Sequence, residues 1–242
     1  MMPSLMEIIK EYKNELFELY DSGLNKEALG MFTKGSIRIC EAQVLYAIIR
    51  KFGYKNVLDI GTGPGLSAVY FSSAIRNSGV DGRVDSIDIV DRVAEKNLRP
   101  LFEHLGLDRI AHFHVGNSSD IIPTLSFEYD FVLIDGAHTY EQTKCDFENA
   151  YSKLRPGGCI AFHDVYKTPE GIMGSRDALD EITTNTDLDA VFFTEEILDF
   201  FSYVEDVEDV HRISKKWKDR NYHYTDPSTN PKCLMATVFK KC

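Results

Sequence analysis

The chain has 242 residues, 43% of them hydrophobic and 12% aromatic, and its 27 Lys and Arg against 38 Asp and Glu leave a net charge of −11 at neutral pH. That is the profile of a soluble globular protein, sized for one generous domain or one domain with an appendage. The negative excess repels phosphate at long range, so partners such as nucleic acid or an anionic membrane are not expected.

The basic stretch Arg212, Lys215, Lys216, Lys218 and Arg220 follows directly on Glu205, Asp206, Glu208 and Asp209, which reads as a self-paired, solvated surface. No apolar run approaches the roughly 20 residues of a bilayer span, and residues 1–20 interleave Glu7, Lys10, Glu11, Lys13 and Glu15 with their apolar positions. Neither a membrane span nor a secretory signal is expected. Five cysteines (Cys40, Cys145, Cys159, Cys233, Cys242) form an odd set without a Cys-x-x-Cys pair, which reads as reduced thiols and a cytoplasmic location.

In chain order, residues 5–20 and 41–52 carry apolar positions at helical spacing, so residues 1–52 are expected to form an N-terminal helical cap ahead of a main domain at 53–242. From there short apolar runs alternate with helical patterns. Strands are predicted at 57–60, 84–89, 112–115, 131–134 and 159–162. Helices are predicted at 66–76, 92–105 with a break at Pro100, 119–125 and 140–154. A further helix at 175–183 and β-like runs at 191–194 and 234–239 complete the pattern. The fold class is α/β: a Rossmann-like, doubly wound, mostly parallel seven-stranded sheet with an antiparallel edge strand. The polar segment 203–232, which holds the only tryptophan, Trp217, reads as an inserted loop or lid within a single domain.

In such a sheet ligands bind beyond the carboxyl ends of the strands, so the residues just after each apolar run are informative. They are Asp59-Ile60-Gly61-Thr62-Gly63-Pro64-Gly65, then Asp88-Ile89-Val90-Asp91, Gly116-Asn117-Ser118-Ser119, Asp135-Gly136-Ala137-His138, and His163-Asp164. Five successive strands deliver polar groups to one rim. The first loop allows close backbone approach to a ligand. Its Gly-x-Gly-x-Gly spacing departs from the dinucleotide fingerprint, since Leu66 stands where a third glycine is required, and no Gly-Lys-Ser/Thr phosphate loop exists. Asp88 ends the second strand, where a carboxylate can hold two ribose hydroxyls; the alternative is that it only caps the next helix.

These motifs, with Asp120-Ile121-Ile122-Pro123 after the third strand, resemble the class I S-adenosylmethionine-dependent methyltransferases. Within them the chain is similar to the metal-dependent branch that includes catechol and macrolide-sugar O-methyltransferases, over roughly residues 36–165. The resemblance implies a methionine-binding loop at Asp59, Gly61, Thr62, Gly63 and Gly65, with Ser67 near the carboxylate. It implies ribose at Asp88 beside Ile89, adenine between Asn117 and Ser118, and Asp135 at the cofactor's edge. It further implies a divalent metal, Mg²⁺ or Mn²⁺, on Asp135, His163 and Asp164, with His138 as general base and a small-molecule acceptor. A homodimer is a further expectation.

The chemistry suits those residue types. Methyl transfer from a sulfonium needs a deprotonated acceptor in line with the methyl carbon. A hard cation can lower a hydroxyl's pKa and fix its orientation, and an imidazole can take a proton near neutrality. His163 departs from the branch, because imidazole is a poorer Mg²⁺ ligand than carboxylate; it stands as a ligand to a softer metal, as a second base, or as a rim hydrogen-bonding group. Competing functions are a metal-dependent hydroxylase on the same scaffold and a non-catalytic cofactor-binding module. Tyr140, Glu141 and Asp146 read as first turns of a helix favoured by its dipole, with contact to substrate the minority reading for Tyr140; Glu41 reads as a surface or capping residue, with a site-facing role from the N-terminal helices the lesser alternative.

Overall fold

The structure is a computed structural model that describes residues 4–21, 37, 39–165, 167–168, 171–172, 174–186, 188, 190–192 and 235–239. The predicted lid at 203–232 lies outside the described residues, as do the ends of the two late β-like runs.

Helix α1 (Leu5–Asp21) begins with a capping box. Ser4 N and Oγ donate to Glu7 Oε2 at 2.7 and 2.9 Å, and Glu7 N donates back to Ser4 Oγ at 3.3 Å. It packs on α2 (Ile39–Phe52), where Arg50 forks onto Glu15 through Nε and Nη2, both at 2.9 Å. Leu5, Ile9, Leu16 and Leu19 of α1 join the same core as Phe131 and Leu133 of the sheet, so the two N-terminal helices share the main hydrophobic core.

The sheet is built from β1 (Asn56–Ile60), β2 (Arg83–Asp88), β3 (Ala111–Val115), β4 (Tyr129–Ile134) and β5 (Leu154–His163), all parallel to one another. Burial on both faces explains their near-continuous apolar runs. Along β1 and β4, Val57, Phe131 and Leu133 enter one core, whereas Leu58, Ile60, Val132 and Ile134 enter the other. Helix α3 (Leu66–Ser78) covers the first face, together with α2; α6 (Ser118–Thr124), α7 (Tyr140–Lys153) and α8 (Gly174–Asn185) follow β3, β4 and β5. Between β2 and β3 lie α4 (Arg92–Lys96) and α5 (Leu98–His104). Their break falls at Asn97, in the left-handed region at φ 51, and not at the expected Pro100. Pro100 sits in the first turn of α5, where a missing N–H costs nothing.

Two short strands, β6 (Lys167–Thr168) and β7 (Gly171–Ile172), pair with each other. The main sheet has the order β3-β2-β1-β4-β5-β9-β8, where β8 is Ala190–Phe192 and β9 is Met235–Phe239. Strand β9 is antiparallel to both neighbours, which places the antiparallel strand one position inside the edge. The order reverses between β1 and β4, and at this switch point a crevice opens above the strand ends.

Candidate active site

A cleft of about 400 Å³ occupies that switch point, lined among others by Gly61, Gly63, Asp88, Ile89, Gly116, Asn117, Ser118, Asp135 and His138. The loop after β1 is drawn tight across the sheet. Gly61 N donates to Ile87 O at 2.8 Å, and Asp135 N donates to Ile60 O at 2.8 Å. Gly61, Gly63 and Gly65 all have positive φ. Asp88 turns its carboxylate to this loop: Oδ2 accepts from Gly63 N at 3.0 Å and from Arg92 Nε at 3.2 Å, and Oδ1 accepts from Val90 N at 2.9 Å. Arg92 carried no signal in the sequence beyond its place at the start of a helix.

Other residues predicted for the cofactor lie beneath the loop instead of facing the cleft. Asp59, Thr62 and Ser67 are buried. Asp59 Oδ2 accepts from Ser67 Oγ at 2.9 Å and Ser86 Oγ at 2.7 Å, and Thr62 Oγ1 shares a 2.8 Å hydrogen bond with Ser86 Oγ. Ser67 is thus committed to Asp59, and the three brace the loop from below. Burial pushes the Asp59 carboxyl up to about 7 despite the two serine hydroxyls, with Asp135 and Asp88 adding to the rise.

This shift fixes a direction for stability. The unfolded carboxyl ionises near 3.8 and the folded one near 7, so the folded chain holds the proton more tightly between those values. Stability therefore falls as pH rises through that window. Asp59→Asn should lose this dependence, its melting temperature gaining on the wild type from pH 4 to pH 8 by a difference worth up to about 4 kcal/mol. Thermal melts across that range check it, and a parallel pH course for the two proteins would contradict it.

Five ionisable groups converge at the ends of β4 and β5, one of them, Glu41, reaching in from α2. His163 Nδ1 lies 2.9 Å from Asp135 Oδ1 and 3.5 Å from Asp164 Oδ1, and His163 Nε2 lies 3.1 Å from Glu41 Oε2. His138 Nε2 is 3.2 Å from Asp164 Oδ2 and 3.9 Å from Asp135 Oδ1. Asp164 reaches this position from a left-handed backbone, φ 52, and its carbonyl accepts from Ser175 Oγ at 2.9 Å. Burial alone would push the His163 imidazole down, but the charges of Asp135 and Glu41 outweigh it and hold it well above its ordinary value. Burial raises the Asp164 carboxyl, while His163 and His138 pull it back.

Glu41, for which the sequence favours a surface or capping place over a site-facing one, is 1% exposed and faces His163. The only hint was an acid in the helix leading into β1. The divalent metal expected on Asp135, His163 and Asp164 is not shown by this cluster. Among the described residues no three His, Cys, Asp or Glu side chains are placed to grip an ion.

Residues 58–165 match the family described as a methyltransferase domain. That stretch is somewhat less than half of the chain, and over it the sequence is similar to a methyltransferase domain. The match spans the glycine loop, Asp88, Asn117, Asp135, His138 and His163. A protein of Mycolicibacterium smegmatis, named provisionally as an O-methyltransferase, is 28% identical over 151 residues, which is 62% of this chain and 69% of that one. One from Mycobacteroides abscessus, named in the same way, is 26% identical over 132 residues, or 53% of this chain and 58% of its own length. Matched stretches of that kind leave a large part of those relatives' length uncovered.

Among solved structures, the Bacillus cereus O-methyltransferase in complex with SAH superposes with a TM-score of 0.63 at 17% identity, covering 96% of this chain and all of that one. The O-methyltransferase TomG of Streptomyces achromogenes, involved in tomaymycin synthesis and solved with SAM, gives 0.61 at 18% identity over 91% and 87% of the two chains. At those identities the likeness shows the fold alone.

Proposed function

We propose that the protein transfers the methyl group of S-adenosylmethionine to a hydroxyl oxygen of a small-molecule acceptor. The observation that carries this reading is the juxtaposition of His138 and Asp164 with the cleft that Asp88 and the glycine loop line. Asp88 would hold the cofactor's ribose, and Gly61 and Gly63 would approach its methionine end. The acceptor enters above Asp135, Asp164 and His138. His138 takes the hydroxyl proton, the oxygen attacks the methyl carbon in line, and the carbon–sulfur bond breaks with its electron pair staying on sulfur. The Asp164 carboxylate beside His138 stabilises the imidazolium so formed.

Incubation with S-adenosylmethionine and a panel of phenols, catechols and sugars, read by mass spectrometry for methylated product and S-adenosylhomocysteine, tests the reading. Product bearing one added methyl on oxygen supports it; failure of S-adenosylhomocysteine to bind would remove its basis. Cofactor binding without turnover of any acceptor would leave a cofactor-binding module.

No step is assigned to a metal. Turnover in EDTA should stay within about twofold of turnover in Mg²⁺. Loss of activity on chelation, restored by Mg²⁺ or Mn²⁺, would return the divalent ion to the mechanism.

A further inference from the structure

The cleft has a polar wall that the acceptor chemistry leaves unused. Asp146, on the second turn of α7, is 1% exposed. Its Oδ1 accepts from Ser118 Oγ at 2.6 Å and from Gln142 Nε2 at 2.9 Å. Gln142 Nε2 also reaches Ser118 Oγ at 3.2 Å and Ser119 Oγ at 3.3 Å, so the side chains of α6 and α7 are locked together. The second carboxylate oxygen, Oδ2, has no hydrogen-bond partner among the described residues. It is directed towards Gly136, where an added Cβ would lie 3.5 Å from it, and Gly136, Ser118, Gln142 and Asp146 all line the cleft.

A buried carboxylate oxygen without a donor costs about 1–3 kcal/mol or more, so this atom calls for a ligand that brings an N–H or O–H. The neighbouring lining supplies the rest of a slot for a flat ring. Ile89, 72% exposed despite its apolar side chain, lines the same cleft and follows directly on Asp88. With the ribose on Asp88, the base attached to it falls among Ile89, Ser118, Gln142 and Asp146.

We propose that Asp146 Oδ2 accepts the exocyclic amino group of the cofactor's adenine and so selects a 6-aminopurine over a 6-oxopurine. This inference rests on the cofactor reading above. A 6-oxo group would set two acceptors face to face, whereas the amino group supplies the missing donor. Because two donors hold Oδ1, an asparagine at this position keeps its Oδ1 there and turns its amide N–H₂ to where Oδ2 was. Asp146→Asn thus exchanges an acceptor for a donor with little change of shape.

The test is calorimetric titration of the wild type and Asp146→Asn with S-adenosylhomocysteine and with S-inosylhomocysteine, each protein checked by thermal melt. The wild type should prefer the adenosyl compound by about 100-fold, and Asp146→Asn should lose about 10- to 100-fold of adenosyl affinity while its preference narrows at least about tenfold. Equal preference in both proteins would overturn the role of Asp146 and leave the cofactor reading intact. A wild type that binds the two compounds alike would overturn it even if the variant did not fold. A wild type that binds neither would sink the cofactor reading and this inference together.

Discussion

His138→Gln should lower the rate of methyl transfer about 10²- to 10⁴-fold while S-adenosylhomocysteine affinity stays within about twofold. Glutamine retains hydrogen-bonding capacity and approximate reach but cannot take a proton from the acceptor. The ring stands on the loop between β4 and α7, a third exposed, with Asp164 Oδ2 3.2 Å from Nε2, and it lines the cleft. Thr139, the next residue, caps α7 by accepting from Gln142 N, and that cap holds the loop whatever stands at position 138. Single-turnover mass spectrometry at saturating cofactor separates the chemical step from binding. If instead cofactor affinity collapsed and the residual rate were unchanged, His138 would be an organiser of the loop and the base would have to be sought elsewhere.

How much of this was legible in the sequence follows from what each element buries. The five parallel strands are covered on both faces, and the resulting apolar runs stand out against the amphipathic helices between them, so their order could be read directly. The rim residues were legible for the same reason, since they follow each run at once. What could not be read is whether a polar side chain at the rim faces the cleft or the interior. Asp59 and Asp88 both lie at a strand's end, yet Asp59 turns inward to Ser67 and Ser86 and Asp88 turns to the loop.

Contacts between distant elements were equally hidden. Glu41 meets His163 across 122 residues of chain, and Asp146 meets Ser118 across 28. Asp146 passed for a dipole-favoured helix residue because only the packing of α7 on α6 buries it. The i, i+4 spacing of Gln142 and Asp146, on a helix starting at the rim, was the one available clue. The break of α4 from α5 at Asn97 was missed because proline draws attention, although proline is harmless in a first turn and asparagine tolerates the left-handed region.

Gly61→Ala should be the most damaging small substitution in the protein. Gly61 has φ +103, a conformation that L side chains rarely adopt. An added Cβ would also lie 2.0 Å from the Asp135 carbonyl oxygen and 2.6 Å from its carbon, both of them backbone atoms. No rotamer change can relieve this, and moving the loop stretches Gly61 N to Ile87 O and Asp135 N to Ile60 O, the bonds that pin β1 between β2 and β4 at the cleft. Strain and lost hydrogen bonds together should cost more than about 4 kcal/mol, lowering the melting temperature by roughly 10 °C or more and abolishing S-adenosylhomocysteine binding. Gly53→Ala is the matched control. Gly53 also has a positive φ, +64, but an added Cβ meets nothing within 4 Å, so only the left-handed conformational cost of about 1–2 kcal/mol applies. The difference between the two variants isolates the contact of the β1 loop with the end of β4. Comparable losses in both would mean that the loop does not pass as close to Asp135 as the cleft geometry requires.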